Sequence, residues 1–106
     1  ADRATKSELG IEWLQKAREL DPENPRYPYS LGLLYGGQQN FRKAVEAFEA
    51  SLHIDSEQPR ALYNLALALT KQGRWQEAYN IIQSALELQP QNPEFQYVRD
   101  IIQRNL

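Results

Sequence analysis

Two stretches decide how this chain folds: Pro25–Gln58, PRYPYSLGLLYGGQQNFRKAVEAFEASLHIDSEQ, and Pro59–Asn92, PRALYNLALALTKQGRWQEAYNIIQSALELQPQN. Laid over each other without a gap, they are identical at eight of 34 places. The pairs are Pro25/Pro59, Arg26/Arg60, Tyr29/Tyr63, Leu31/Leu65, Leu33/Leu67, Gln38/Gln72, Ala44/Ala78 and Leu52/Leu86. Others are similar, such as Phe41/Trp75 and Ile54/Leu88. Pro93 follows Pro59 after another 34 residues. A fixed period of this size marks a stacked repeat. Each unit is one supersecondary element that buries its apolar face only against its neighbours.

The period also resolves a local ambiguity. Leu65-Ala66-Leu67-Ala68-Leu69 alternates as a half-buried strand would. Leu62, Leu65 and Leu69, however, recur three and four residues apart, which puts them on one side of a helix. Tyr63, Asn64 and Leu67 then face the other way. Asn24-Pro25 and Asn92-Pro93 each set a good N-cap before a proline suited to the first helical place. Gly73 supplies a left-handed stop after the Leu62–Lys71 pattern. Small residues at Gly32, Ala44, Ala66 and Ala78 allow paired helices to approach closely. Six helices are expected, the outer two over 7–20 and 93–105. Pro28 predicts a late start for the second helix, at Pro28 itself, or a missing bond in its first turn. Gly36-Gly37 weakens the end of that helix, which is predicted to be the least protected of the internal ones.

The period and its motif resemble the tetratricopeptide repeat, a helix–turn–helix unit. The first repeat carries Leu31-Gly32, Tyr35, Ala44 and Phe48, with Pro28 in the family's opening large place and Ser56 in its closing proline place. The second carries Leu62, Leu65-Ala66, Leu69, Ala78, Ile82 and Pro90, with aliphatics in place of the aromatics. Gly10, Leu14, Ala17, Leu20 and Pro22 stand 34 residues before Ala44, Phe48, Ser51, Ile54 and Ser56. The resemblance therefore implies an all-α, right-handed superhelical solenoid. It divides into a half repeat over 7–24 (second helix only), whole repeats over 25–58 and 59–92, and a capping helix over 93–106.

Composition bounds the function. The net charge of −2 offers no basic surface for nucleic acid, and a related 35-residue RNA-binding helical repeat does not match the period. No apolar run is long enough to span a bilayer, and no secretory leader pattern is visible. The chain does not begin with Met, so an excised or processed domain of a larger protein is expected. With no Cys and His53 as the only His, no thiolate or His-based metal site and no nucleophile–His–acid triad can be assembled within one chain. No phosphate loop, nucleophile elbow or calcium loop appears. The chain is not expected to be an enzyme or to hold a cofactor. The absence of Cys suits cytoplasmic and extracytoplasmic compartments equally.

The family resemblance implies a protein-interaction scaffold whose first helices line a concave groove for a partner peptide or helix. The residues it places there are Arg26, Tyr29, Ser30, Leu33 and Gly37; Arg60, Tyr63, Asn64, Leu67 and Lys71; and Glu94, Tyr97, Val98, Ile101 and Asn105. Tyr29, Tyr63 and Tyr97 form one ladder and Leu33, Leu67 and Ile101 another, each with a step of 34. Tyrosine suits a contact surface because it offers large area at low entropic cost; the same residue could equally pack adjacent helices. Tyr63→Ala is expected to weaken partner binding and spare the fold if the ladder is a contact surface.

One subgroup of the family grips chaperone C-terminal carboxylates with a Lys/Asn/Arg clamp. Asn64 matches its middle asparagine, but Tyr29, Leu33, Glu94 and Val98 stand where Lys, Asn, Lys and Arg are needed. The alternative function is assembly through the N-terminal edge, where Ile11, Trp13 and Leu14 lack the helix that would cover them. Such an edge could self-associate, or residues Ala1–Lys6 could fold back over it. At the other end, Gln96, Arg99, Asp100 and Gln103 give the last helix a polar outer face suited to ending the array.

Overall fold

The computed structural model describes residues 5–106; the proposed fold-back of Ala1–Lys6 therefore lies largely outside the described residues. Six α-helices follow one another: α1 (Lys6–Leu20), α2 (Arg26–Gly37), α3 (Phe41–Ile54), α4 (Pro59–Lys71), α5 (Trp75–Leu88) and α6 (Pro93–Gln103). No strand occurs among the described residues. Each helix packs on the next, and α2 also touches α4, so the first helices of successive repeats lie side by side. The body is a slab of 47 × 30 × 19 Å.

Local chemistry sets the helix ends. Thr5 Oγ1 accepts from the Glu8 N–H (3.1 Å) while Glu8 Oε2 accepts from the Thr5 N–H (2.9 Å). This reciprocal capping box starts α1 one residue before the expected place. The Asn92 side chain caps α6 as expected, accepting from the Glu94 and Phe95 N–H groups (3.0 and 3.2 Å); before α2 the cap place falls on Pro25 instead, with Asn24 one residue further out and its Oδ1 accepting from the Arg26 N–H (3.0 Å). Pro28 neither delays α2 nor removes a bond from it. It sits in the first turn, where its missing N–H has no intrahelical partner, and the next N–H, that of Tyr29, already reaches the Pro25 carbonyl (3.1 Å). Its ring is fully buried, filling the place of the family's large residue. α6 ends at Gln103, two residues short of the expected 105, and the Asn105 N–H turns back to the Ile102 carbonyl.

The core runs through α3 to α6. Ala44, Ala66, Ala78, Ile82, Ala85, Phe95 and Ile102 are fully enclosed. Close approach is tightest at Gly32, where an added Cβ would lie 2.4 Å from the Phe48 ring. At the corresponding places the second repeat has Ala66 and Ile82, both fully buried, with a slimmer branched chain for the flat ring and a methyl for the hydrogen. Within the first repeat, the buried Ser51 hydroxyl donates to the Pro25 carbonyl (2.7 Å), and Gln58 Nε2 donates to the Ser51 and Asp55 carbonyls (3.0 and 2.7 Å). Ser51→Ala is expected to lower stability by about 1 kcal/mol in denaturant unfolding, the net worth of such a bond.

The turns after α2 and α4 are equivalent but differently furnished. Gly73 has φ +72°, and its counterpart 34 residues earlier, Gln39, has φ +61°. A side chain in the left-handed region costs energy that glycine avoids. Gln39→Gly is therefore expected to raise stability by roughly 0.5–1 kcal/mol, read as an upward shift of the thermal midpoint. An unchanged or lower midpoint would show that Gln39 is held there without strain.

Candidate interaction surface

The first helices α2, α4 and α6 carry the candidate groove residues except Asn105, which lies just past the end of α6. Their exposure divides the candidates sharply. Leu33 and Tyr97 are largely open, at 45% and 67%. Arg26, Gly37, Arg60, Lys71, Glu94 and Asn105 are also exposed, while Tyr29, Ser30, Tyr63, Asn64, Leu67 and Ile101 are half-buried. Val98 is only 9% exposed and belongs to the core, because its side of α6 turns toward the preceding repeat. It has almost no surface left for a partner.

The tyrosine ladder is not uniform. The Tyr29 ring lies 5.8 Å from that of Phe48, tilted by 52°, and its hydroxyl accepts from Asn64 Nδ2 (3.1 Å). Tyr63 stacks on Phe95 at 5.2 Å with 27° between the planes. Both pack against the core. Only the third rung, Tyr97, keeps most of its ring in solvent. The packing contribution of Tyr29 and Tyr63 comes from aromatic neighbours on α3 and α6. Phe95 could have been suspected from the apolar pattern of α6, but the identity of its partner could not.

Charge closes part of the same face. The Arg60 guanidinium lies 4.8 Å from the Tyr63 ring centre and pairs with Glu94 at 3.2 Å. Asn64 Nδ2 also donates to the Arg60 carbonyl (2.9 Å). Arg60 Nη1 and the Asn64 amide are thus engaged within the chain, and Glu94 brings a carboxylate beside them. Lys71, on the last turn of α4, makes no ion pair among the described residues.

Between α2, α3 and α4 lies a mostly apolar pocket of about 200 Å³. Gly32, Ala44, Phe48 and Ala68 contribute its buried lining; Leu33, Gly36, Phe41, Asn64, Leu67 and Lys71 contribute the more accessible part. Gly36 and Phe41 were not among the sequence-derived candidates. The available signal was two glycines four residues apart, Gly32 and Gly36, on one side of a helix. Away from this face, Arg74 and Glu77 form a bidentate pair at the start of α5. That bond holds the Glu77 carboxyl below its ordinary range and raises the Arg74 guanidinium. Its stabilising effect is present above the ordinary carboxylate range and fades as acid protonates Glu77; on an exposed surface it is small.

The tetratricopeptide-repeat family model matches residues 29–93, more than half of the chain. The chain belongs to the tetratricopeptide-repeat family. Solved tetratricopeptide-repeat domains share its fold. The first such domain of Spaghetti (RPAP3), bound to the HSP90 peptide SRMEEVD, superposes with a TM-score of 0.87 at 22% identity, over 93% of this chain and 80% of that one. The second domain of human RPAP3, in complex with the HSP70 peptide SGPTIEEVD, gives 0.87 and 22%, over 92% and 82%. The type III secretion translocator chaperone SycD of Yersinia enterocolitica gives 0.78 and 23%, over 93% and 68%. No curated protein sequence matches the chain. The tetratricopeptide-repeat helices here are all too short or too polar to cross a membrane, among the described residues. Those residues also contain no cluster of His, Asp and Glu able to hold a metal ion.

Proposed function

We propose that this tetratricopeptide-repeat domain is a protein-interaction module that docks a partner segment along α2, α4 and α6. The observation that carries the reading is the exposure of Leu33 (45%) and Tyr97 (67%) on helices whose other large apolar residues are mostly enclosed. Apolar side chains left open on one face of a packed scaffold suit a docking surface. The peptide-bound RPAP3 structures support the capacity of this fold to hold a peptide. Their acidic peptides fit this chain's chemistry poorly. Glu94 would repel them, Tyr29 and Leu33 add no charge, and the Asn64 amide is already committed to Tyr29 and Arg60.

Tyr97→Ala is the cleanest probe, because it removes a largely exposed ring. Against an array of short random-sequence peptides, this variant is expected to lose about 1–2 kcal/mol of binding, or roughly five- to thirtyfold, as truncation of an interface aromatic commonly does. Its circular dichroism spectrum should be unchanged. Unaltered peptide binding would remove α6 from the docking surface. Tyr63→Ala is not a clean probe, since its ring stacks on Phe95.

A second reading, assembly through the N-terminal edge, is favoured by α1, which contains no buried residue. Trp13 is 67% exposed and Leu9 55%, while Ile11 and Leu14 are half-buried. Under this reading, sedimentation equilibrium shows a concentration-dependent dimer that Trp13→Glu converts to monomer. A monomer at all concentrations removes self-association.

A further inference from the structure

Another cavity opens on the side of the array turned away from the groove. It measures about 330 Å³ and lies between α1 and α3, with α2 as its floor. Leu31 and Tyr35 form that floor, on the opposite side of α2 from Tyr29, Ser30 and Leu33. Ala47 and Ala50 line the α3 wall, and the polar rim is Gln15 and Arg18 from α1 with Lys43 and Glu46 from α3. The next interface along the array differs at the corresponding places. It has Leu52 for Arg18 and Ile81 for Ala47, and both of these pack onto the core. It also has Glu49 for Gln15 and Glu77 for Lys43. The first interface is open and cationic where the second is covered and acidic.

Local helix energetics does not account for Lys43. It sits in the first turn of α3, where the helix dipole disfavours a cation. The second repeat has Glu77 in that place, the sign the dipole favours. The Lys43 ammonium instead lies 5.5 Å from the centre of the Tyr35 ring. Neither Lys43 nor Arg18 has an ion pair among the described residues. The one carboxylate on the lining, Glu46, is already paired with Arg42 (3.2 Å), which stands outside the cavity. The Tyr35 hydroxyl accepts from Gln15 Nε2 (3.4 Å) and donates to no group among the described residues, so its hydrogen is available. Two uncommitted cations and a hydroxyl donor above an alkyl floor complement a group that is anionic at its tip and apolar along its stem.

We propose that the outer cavity between α1 and α3 is a second protein-docking site and receives a glutamate side chain of a partner. The carboxylate is held by Arg18, Lys43 and the Tyr35 hydroxyl, and the methylenes lie on Leu31, Ala47 and Ala50. The poor fit of acidic peptides applies to the groove, where Glu94 stands; the outer cavity carries the opposite balance of charge. The two sites face opposite ways, so one chain can hold a segment in its groove and an acidic partner surface on its back. The outer site stands independently of the groove reading.

The test uses the isotope-labelled chain and three probes: an N-acetylated, C-amidated alanine pentapeptide with a central glutamate, the same peptide with a central glutamine, and inorganic phosphate. The glutamate peptide is expected to shift the amides of Arg18, Tyr35, Lys43 and Ala47 saturably. The glutamine peptide should bind about two- to thirtyfold more weakly, the range for two exposed ion pairs. Tyr35→Phe keeps the ring and removes one donor, and should weaken the glutamate peptide about two- to tenfold. Arg18→Gln combined with Lys43→Gln, both at exposed positions, should preserve the circular dichroism spectrum and erase the preference for glutamate over glutamine. Tyr97→Ala, on the groove side, should leave the glutamate shifts unchanged. Equal binding of the two peptides, a glutamate preference that survives in the folded double variant, or an unaffected Tyr35→Phe would each overturn the proposal. Phosphate binding more tightly than the glutamate peptide at the same amides would overturn it too, by making the cavity a small-anion site. Shifts that vanish in Tyr97→Ala would put the peptide in the groove, overturning the outer site and leaving the groove reading standing.

Discussion

Phe95→Ala is expected to destabilise the chain by about 3–5 kcal/mol, the usual cost of deleting a buried phenylalanine ring. Phe95 is fully enclosed, and its ring stacks on Tyr63 at 5.2 Å. With Val98 and Ile102 it anchors α6, the last helix of the array. Removal leaves a cavity at the junction of α4 and α6 and frees the Tyr63 ring. Arg60, which lies 6.0 Å from the Phe95 ring centre and pairs with Glu94, loses its setting as well. The thermal midpoint should fall by roughly 10–20 °C, since each kcal/mol moves a domain of this size by several degrees. Hydrogen exchange should show α6 opening first, with α2 and α3 keeping their protection, because stability in a stacked array is passed between neighbours. A loss below about 1 kcal/mol would mean that α6 is not held by this ring.

The second large effect comes from an apparently mild change. Gly32→Ala should gain up to about 1 kcal/mol in helix propensity. It is nevertheless expected to destabilise by about 1–3 kcal/mol, because overpacking forces side chains and backbone to move. The new methyl would lie 2.4–2.8 Å from three atoms of the Phe48 ring, which is buried and cannot swing away. The second repeat contains the remedy. There Ala66 is accommodated with Ile82 in the place of Phe48. Gly32→Ala combined with Phe48→Ile should therefore be more stable than the sum of the two single changes, with a coupling of about 1 kcal/mol or more in a double-mutant cycle. Strict additivity would show that the two positions do not sense each other, and that the glycine is there for another reason.

Much of this fold can be read directly from residues. The 34-residue identity pairs determine that there are repeats, and the spacing of Leu62, Leu65 and Leu69 determines that their elements are helices. Asn24, Gly73 and Asn92 mark helix boundaries because capping is local chemistry. The capping box of α1 was equally local, in Thr5 and Glu8. Pro28 misleads a purely local reading. Its penalty falls on an N–H that the first turn leaves unused, while burial of its ring rewards its presence.

The working face was less legible, for a physical reason. A repeat fixes which residues point toward the same side, but not how far each is covered by its neighbours. Tyr29, Tyr63 and Tyr97 occupy one place in the period, yet the first two rest on Phe48 and Phe95 and the third is open. Coverage depends on residues from the next helices, whose contacts span many positions along the chain. The same holds for Val98, drawn into the core, and for the pocket at Gly36, whose lining comes from three helices. The sequence by itself determined the unit, its period and the side on which contacts could form. Only tertiary packing decided which of those side chains remain available, because exposure is a property of the neighbours that close over a residue.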